Sequence, residues 1–514
     1  MSDSRIRKSI ANANVNAIFY VITIILAFFS RKYFLQNLGA EFLGLSGTLG
    51  DMLNLMNITE LGIGTAVGVT LYKPLFGNDK ETINDIVSVF GFLYTRVGAV
   101  IAGAGIILSC FFPIIFKDTD LPLYLPYLMF YAMLYAALLG YFVNYKQIIL
   151  SASQQNYVIV IRYQITIIVK VILQILVSFL HYNYIWWILL EALTITIYTF
   201  ILNKAIYKYF PWLETSIARG KAKFKEYIGL WTKTKQVFVL KLSHLVFNSS
   251  TNILTAAFAN LSMVALYGNY HMLMSKVTSF IDGLFTGMEA SVGNLIAEGN
   301  KEKTLNVFYE LLCIRYFLAG VCSISLYFMV SPFISVWLGD KYILPQAIII
   351  LLSAHIFIQQ ARLTVDNFKN GYGIYQDVWA PIAEVVLYLG LAVILGHFYG
   401  LAGILGGMVI SEALIKMIWK PYYLFLRGFE VSVWKYYWPG IFKYLLAFCL
   451  CMILAFFFSR WYRSSFLVEG WIPVLLYCLI MGILVAASLS VIFLVLDRHF
   501  LGFAKHLLGF IKNR

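Results

Sequence analysis

Long apolar runs, separated by short polar turns, recur along the whole chain. A helix that crosses a membrane needs about 20 predominantly apolar residues, and about fourteen runs qualify. They centre near residues 24, 60, 100, 138, 169, 192, 245, 280, 318, 357, 389, 413, 449 and 484. The pattern predicts an all-α, polytopic membrane protein with about 14 transmembrane helices.

The run near residue 60 and the polar turn that follows it recur in the second half of the chain. Four turn residues match at a constant offset of 222 residues: Gly77, Asn78, Thr82 and Asn84 meet Gly299, Asn300, Thr304 and Asn306. The same offset places Glu60 on Asp282. Self-similarity at a fixed offset predicts two related halves. Because an even number of helices separates the copies, the repeat should be parallel, with its axis along the membrane normal.

The predicted organisation is two six-helix lobes followed by two further helices. The N-lobe spans 1–228 and includes a basic connection, the C-lobe spans 229–430, and 431–514 holds helices 13 and 14 and an amphipathic tail. The basic connection, 204–235, is the longest polar interruption. It suits binding to anionic lipid headgroups or a solvated linker that obeys the positive-inside rule; we favour the linker.

The composition excludes a soluble protein. Hydrophobic residues make up 61% of the 514 residues and charged residues only 12%, far from the average of globular domains. The net charge of +14 reflects membrane topology, since Lys and Arg collect at one side of the predicted helices, so both termini should be cytoplasmic. We expect no nucleic-acid partner. The first apolar run lacks a cleavage site and should remain in the protein.

No motif in the chain indicates catalysis. Zincin, nucleotide-loop and nucleophile-elbow patterns are absent from the sequence. The seven histidines and six cysteines show no metal-ligand spacing. We therefore expect no catalytic residue, no metal and no cofactor, apart from H+ or Na+ as a coupling ion.

Cations inside the apolar runs are the candidate substrate ligands. A charge at the bilayer centre costs about 2.5 to 3.5 kcal/mol on insertion scales and normally faces protein or water. With the offset of 222, Arg315 maps three residues from Arg96, about one helical turn, so both should lie on one face at one depth. The proposed cavity cations are Arg31, Arg96, Lys170, Lys241 and Arg315, with Lys276 as a further interior cation.

The alternative for each cation is a structural ion pair with an intramembrane acid. Glu60, Asp282 and Glu289 are such acids, and the same three are candidates for ion coupling. For the whole set we favour a basic cavity that an anionic substrate balances, because many helices contribute cations. Arginine is the natural ligand for phosphate oxygens, since its planar guanidinium matches their geometry.

Polar residues form a stripe on the helix that opens each half. Spacings of three and four keep residues on one helix face. The stripe includes Lys241, His244, Asn248 and Asn252 in the second half, and Asn16 belongs to a similar stripe in the first. Polar contacts between helices are the alternative, but matching stripes favour a wet cavity.

Two segments carry a family resemblance. S-R-K-Y-F-L-Q-N-L-G-A-E-F-L-G-L-S-G-T-L at 30–49 and N-I-T-E-L-G-I-G-T-A at 57–66 resemble the polysaccharide-transporter branch of the multidrug/oligosaccharidyl-lipid/polysaccharide exporter (MOP) superfamily, the Wzx-type flippases. Twelve helices in two bundles plus two more also match that branch in architecture. Arg31 is the residue that the motif itself supports.

The resemblance implies a two-lobe transporter of the bacterial cytoplasmic (inner) membrane that moves undecaprenyl-diphosphate-linked oligosaccharide to the outer leaflet by alternating access. Its cavity cations would hold the diphosphate. The substrate would serve surface polysaccharide biosynthesis, such as lipopolysaccharide O-antigen, with a polysaccharide polymerase and glycosyltransferases as partners beside the membrane lipids.

Three other functions remain open at this stage. A multidrug exporter or a flippase for the peptidoglycan lipid precursor would belong to the same superfamily. A membrane-embedded glycosyltransferase or polymerase would need a large extramembrane loop with carboxylates or paired arginines, and the longest outer loop of this sequence is short.

Overall fold

The computed structural model describes residues 2–56, 63–179, 184–227, 245–247, 249–285, 288–374 and 376–500. Within these ranges the chain is built from helices and turns, with no β-strand. It forms two compact units, Met1–Ala265 and Leu266–Arg514. The lobe limits after 228 and 430 stay predictions.

Unit 1 is a bundle of long helices. In chain order they are α1 (Ser2–Asn37), α2 (Gly39–Met56), α3 (Ile63–Gly77), α4 (Lys80–Ser109), α5 (Tyr124–Phe142), α6 (Asn156–Phe179), α7 (Tyr184–Tyr209), the short α8 (Ile217–Lys223) and α9 (249–258). Single helical turns at Phe112–Ile115, Asn144–Gln147 and Ile148–Ala152 join some of them.

Unit 2 follows the same plan. Its helices are α10 (Leu261–Leu284, which begins in unit 1), α11 (Met288–Ala297), α12 (Lys301–Leu338), α13 (Gln346–Ala361), α14 (Leu363–Gly371), α15 (Trp379–Tyr399), α16 (Leu401–Glu412), α17 (Lys420–Leu424), α18 (Trp438–Ser465) and α19 (Trp471–Leu496). Two π-helical stretches, Ala413–Trp419 and Phe425–Phe429, flank α17. Short turns occur at Asp340–Tyr342 and Val433–Tyr436.

Eleven helical segments of the described ranges are long and apolar enough to cross a membrane. They correspond to eleven of the fourteen predicted runs. The three remaining runs, near residues 60, 245 and 280, include residues outside those ranges. The membrane-transporter fold class predicted from the apolar runs is thus confirmed.

The turn before α4 and the turn before α12 are built alike. Asn78 and Gly299 both have positive φ, 56° and 75°, and the next residues, Asp79 and Asn300, cap the following helices through their side chains. A side-chain oxygen at this position satisfies a backbone N–H that the helix leaves unpaired. The caps are 221 residues apart, so the offset of 222 taken from residue identities is one residue too large.

The basic connection folds back onto α4. Ser216 caps α8, and Gly220 lies so close to α4 that a Cβ there would stand 2.0 Å from the carbonyl oxygen of Ser88. Arg219 forms an ion pair with Asp85, which is buried in α4. This part of the connection is therefore docked against unit 1, which agrees with a structural linker.

Aromatic rings form the part of the unit 2 core that supports its polar residues. The ring of Phe308 on α12 meets those of Phe368, Phe425 and Phe429 at centroid distances of 5.1 to 5.5 Å. Edge-to-face pairs of this kind add to the gain from burying the rings. They fix α12 against α14 and the second π-helical stretch.

Candidate functional site

Arg315 is a buried arginine in the middle of α12. Only 3% of the residue is exposed. Its Nη1 donates to Gln360 Oε1 at 3.1 Å, and its guanidinium carbon lies 3.7 Å from the ring centre of Phe285. Its Nε is buried without a hydrogen-bond partner. Because a buried donor without an acceptor costs about 1 to 3 kcal/mol, this nitrogen marks a place where an acceptor would bind favourably.

The acid nearest to Arg315 neutralises it incompletely. Asp282 Oδ1 lies 3.6 Å from Arg315 Nη1, and half of the Asp282 side chain is exposed. Gln360 Nε2 donates to the same carboxylate over a long 3.4 Å. A close bidentate pair would hold oxygen and nitrogen at 2.7 to 2.9 Å. Arg315, Asp282 and Gln360 thus form a loosely joined polar triad, which we call the Arg315 site.

Lys276 lies six residues before Asp282 on α10, where it is half-buried. Six residues correspond to about 9 Å along a helix. The sequence-predicted residues Arg315, Asp282 and Lys276 therefore belong to neighbouring stretches of unit 2. Gln360 and Phe285, which complete the Arg315 site, were missed because an uncharged amide and a phenyl ring carry no signal in an apolar run.

Arg31 and Lys170 in unit 1 both have partners within that unit. Arg31 Nη2 donates to the backbone oxygen of Ala265 at 2.8 Å. Lys170 Nζ lies 2.7 Å from Glu191 Oε1, and Gln174 donates to the other oxygen of that acid. The charge of Lys170 is thus compensated by an intramembrane pair, the alternative that we left open.

Arg96 is exposed, and its guanidinium carbon lies 4.4 Å from the ring centre of Phe92. The prediction that Arg96 and Arg315 share a face is wrong. With the caps 221 residues apart, the two arginines differ by two positions rather than three. Two residues turn a helix by about 200°, which explains why one arginine is exposed and the other buried.

The polar stripe of the second half is described at Asn252. Asn252 Nδ2 donates to Asp51 Oδ2 at 2.7 Å, whereas Asn252 Oδ1 is buried without a partner. Asp51 was missed because it stands among mixed polar residues in α2. Lys241, His244, Asn248 and Glu60 lie outside the described residues, and so do the side chains of Asn16 and Glu289.

A cavity of about 500 Å³ lies inside unit 1. Tyr94, Tyr141 and Tyr145 supply ring faces, and Gln147 and Asn156 supply amides. Its lining carries no charged side chain. Ring faces beside amide and hydroxyl groups suit an uncharged, hydroxyl-rich ligand. Sequence alone could not separate these tyrosines from the aromatic belts expected at membrane interfaces.

A second group of polar side chains lies buried in unit 2, around Glu412. The carboxylate accepts hydrogen bonds from Gln359 and Lys416, and it contacts His355. Glu384 and Glu412 were noticed as intramembrane acids in the sequence. Their shared partner Lys416 was not, because four residues separate it from Glu412 and its place in a π-helical stretch cannot be read from the residue pattern.

Three solved structures are similar to the chain over most of its length. The lipid II flippase MurJ in an inward closed conformation shares 16% identity over 95% of this chain and 98% of that chain, with a TM-score of 0.64. An inward-facing multidrug resistance MATE transporter of the MOP superfamily shares 14% identity over 77% and 93%, with a TM-score of 0.57. A MOP superfamily transporter from Pyrococcus furiosus shares 13% over 83% and 96%, with a TM-score of 0.52.

These likenesses assign the chain the membrane-transporter fold of the MOP superfamily. At such low identity they establish the fold and nothing finer. No protein-family profile matches the chain, and no curated sequence matches it.

Proposed function

We propose that the protein is a flippase that moves undecaprenyl-diphosphate-linked oligosaccharide across the bacterial cytoplasmic membrane by alternating access, for surface polysaccharide such as lipopolysaccharide O-antigen. The diphosphate binds the cavity cations, the sugars occupy an aqueous cavity, and the lipid tail stays in the bilayer. Both termini lie in the cytoplasm. A polysaccharide polymerase and glycosyltransferases act with it.

The Arg315 site is the observation that carries the proposal. Its guanidinium is buried, its Nε has no acceptor, and the nearest acid lies 3.6 Å away with half of its side chain exposed. A phosphate oxygen would satisfy the Nε and add a charge that Asp282 supplies only weakly. Hydrogen bonds between charged partners are about twice as strong as neutral ones, so a diphosphate would be bound strongly there.

Exposed and half-buried cations in unit 1 support an anionic substrate as well. Arg96 is exposed, and Arg31 is half-buried with a backbone partner. Lys170 and Lys241 complete the proposed set of cavity cations, with Lys276, Asn16, His244, Asn248 and Asn252 as polar neighbours. The uncharged tyrosine-lined cavity supports the sugar half of the proposal, because it offers rings and amides without a competing charge.

A flippase for the peptidoglycan lipid precursor is the second candidate. The similarity to the lipid II flippase MurJ over 95% of this chain favours it. Both candidates recognise a lipid-linked substrate, so the Arg315 site does not distinguish them. Rescue of a strain depleted of lipid II flippase activity would assign the protein to this second function, and failure to rescue would leave the first.

A multidrug exporter is the third candidate, since MATE transporters share the fold. Exporters of cationic drugs need acids to bind their substrates, whereas the Arg315 site is built around a buried cation. We therefore expect no added drug resistance when the protein is expressed in a susceptible host. Glu60, Asp282 and Glu289 remain proposed sites for a coupling H+ or Na+.

The test uses a bacterial strain in which this protein is the sole flippase for its surface polysaccharide. We expect Arg315→Gln to lower the amount of polysaccharide at the cell surface by about tenfold or more, because a lost charged hydrogen bond costs about 1.5 to 3 kcal/mol. The double variant Arg96→Gln with Arg315→Gln should abolish it. Lys443→Gln, an exposed cation of α18, is the matched control and should retain full export. Wild-type export by the double variant would overturn the proposal.

A further inference from the structure

A buried group of charged side chains in unit 2 takes no part in the Arg315 site. It consists of His355 and Gln359 on α13, Glu384 on α15, Glu412 at the end of α16 and Lys416 in the following π-helical stretch, and we call it the Glu412 cluster. Each of these elements belongs to a segment long enough to cross a membrane. The cost of burying charge there requires that every member be compensated.

Glu412 is the centre of the cluster. Its side chain is fully buried. Oε1 accepts from Gln359 at 2.5 Å and from Lys416 at 2.8 Å. Oε2 lies 2.8 Å from Nδ1 of His355. An ionised carboxylate only accepts hydrogen bonds, so His355 donates its Nδ1 proton and leaves Nε2 as the acceptor of the imidazole.

Lys416 joins two buried carboxylates. Its Nζ lies 2.9 Å from Glu384 Oε1 and 2.8 Å from Glu412 Oε1. A cation that two acids might otherwise recruit from solution is thus supplied by the chain itself. The site between Glu384 and Glu412 is occupied by an ammonium group, which leaves the neighbouring imidazole as the member able to gain a charge.

Polar contacts continue from the cluster along α14 and α17. Arg362 Nε donates to Gln359 Oε1 at 2.9 Å, and Arg362 also pairs with Asp366. Lys420 Nζ lies 2.6 Å from the other oxygen of Asp366. From His355 to Asp366 this path covers 11 residues, or about 16 Å of helix. It leads towards the end of α14 that the positive-inside rule predicts to be cytoplasmic.

The charges along this path balance when the imidazole of His355 is neutral. Glu384, Glu412 and Asp366 are the carboxylates, and Lys416, Arg362 and Lys420 are the cations. Protonation of His355 therefore changes the whole group from neutral to a single positive charge. Histidine is the side chain whose charge changes most readily near neutral pH.

We propose that His355, oriented by Glu412, binds the proton that drives this transporter, and that the polar path through Arg362 and Asp366 connects it to the cytoplasmic side. The proposal rests on the proposed function in so far as the proton is a coupling ion. In the step itself, Nε2 of His355 takes a proton from hydronium and releases water, and deprotonation is the reverse. No other bond forms or breaks.

Two further charged or titratable groups face this region from neighbouring helices. His271 on α10 is close enough to His355 for the two imidazoles to interact electrostatically. Arg315 on α12 contacts Gln360, next to Gln359 in the chain. Proton binding at His355 would thus be sensed by the elements that carry the Arg315 site, which gives a route for coupling proton and substrate. The π-helical stretch at Ala413–Trp419 is of a kind often found at functional sites.

The first experiment measures protonation without transport. Full-length protein with 15N-labelled histidine is placed in lipid nanodiscs, and NMR spectra are recorded from pH 5 to pH 9. We expect one imidazole signal, absent in His355→Gln, to change with pH, and we expect Glu412→Gln to alter that change. His397→Gln removes an exposed histidine of α15 and should leave the signal unaltered. A His355 signal that is constant over this range, or unaffected by Glu412→Gln, would overturn the proposal.

The second experiment measures coupling. Liposomes with the full-length protein and a fluorescent polyprenyl-diphosphate disaccharide are given a pH gradient or a sodium gradient. We expect the pH gradient alone to speed translocation in the wild type and in His397→Gln, and His355→Gln to lose that stimulation. Translocation that ignores the pH gradient, or that keeps it in His355→Gln, would contradict the proton assignment. A wild type that never moves the probe would instead contradict the proposed function, and the NMR result would still decide whether His355 binds a proton.

Discussion

Single charged residues in the membrane segments of this protein are accompanied by partners that sequence reasoning could name only in part. Lys170 and Glu191 were both visible as intramembrane charges, and they lie on the adjacent helices α6 and α7. Arg315 and Asp282 were visible too, but Gln360 and Phe285 around them were not. A charge in an apolar run is conspicuous in sequence, whereas an amide or a ring that completes its surroundings is determined by packing between helices.

The pair of Lys170 and Glu191 should be stabilising only while both members are present. Glu191→Gln leaves a lysine that is mostly buried without its counter-charge, and we expect a loss of about 3 to 5 kcal/mol in the free energy of unfolding. Replacing both residues by methionine should restore most of it, because a buried pair exchanged for apolar side chains is often neutral. Reversible unfolding in mixed micelles measures the difference. Equal stability of Glu191→Gln and wild type would show that the pair contributes nothing.

The cap of α4 should make stability depend on pH. Hydrogen bonds from the hydroxyl and the backbone N–H of Thr82 hold the pKa of Asp79 below its ordinary value. A carboxyl with a lowered pKa stabilises the folded state above its unfolded pKa, and that contribution disappears as pH falls through the lowered value. The thermal unfolding temperature should therefore fall in acid.

Asp79→Asn is the variant that isolates this effect, since asparagine caps a helix equally well but does not titrate. Its unfolding temperature should depend less on acid than that of the wild type, whereas Asp118→Asn, in an exposed loop, should behave like the wild type. Identical acid profiles of Asp79→Asn and the wild type would contradict the assignment.

At the scale of helices, the apolar runs predicted the elements well, and the turns between them less exactly. Eleven predicted runs are helical segments fit to cross a membrane within the described ranges. The repeat was found, but its offset was one residue too large, because matching residue identities ignored which residue caps the helix. That single residue changed the predicted face of Arg96. The π-helical stretches around Lys416 were not predictable, since their hydrogen-bond pattern depends on tertiary packing.

The docking of α8 on α4 should depend on Gly220. A methyl group there would stand 2.0 Å from the carbonyl oxygen of Ser88, so Gly220→Ala should displace α8 even though alanine favours helix formation. We expect trypsin to cleave the basic connection of the variant several-fold faster than that of the wild type. Ala218→Ser, at an exposed position of the same helix, should be cleaved at the wild-type rate. A Gly220→Ala protein that is as resistant as the wild type would show that the contact is not needed.

At the scale of the whole molecule, sequence and structure agree on a transporter of two helical units. The fold is that of MOP superfamily transporters, and it was predictable because membrane helices are marked by length and apolarity alone. The substrate is not encoded so directly. It depends on how a few charges, spread over distant segments, come together within each unit, and Arg315 is the clearest of them.

Translocation by the purified protein is the most direct test of the central claim. Full-length protein is reconstituted into liposomes with a fluorescent polyprenyl-diphosphate disaccharide, and the fraction of probe that a membrane-impermeant quencher reaches is followed over time. We predict rapid exchange between leaflets with the wild type and with Lys443→Gln, and exchange slower by about tenfold or more with Arg315→Gln. Exchange with the wild type no faster than in protein-free liposomes, or undiminished in Arg315→Gln, would contradict the account.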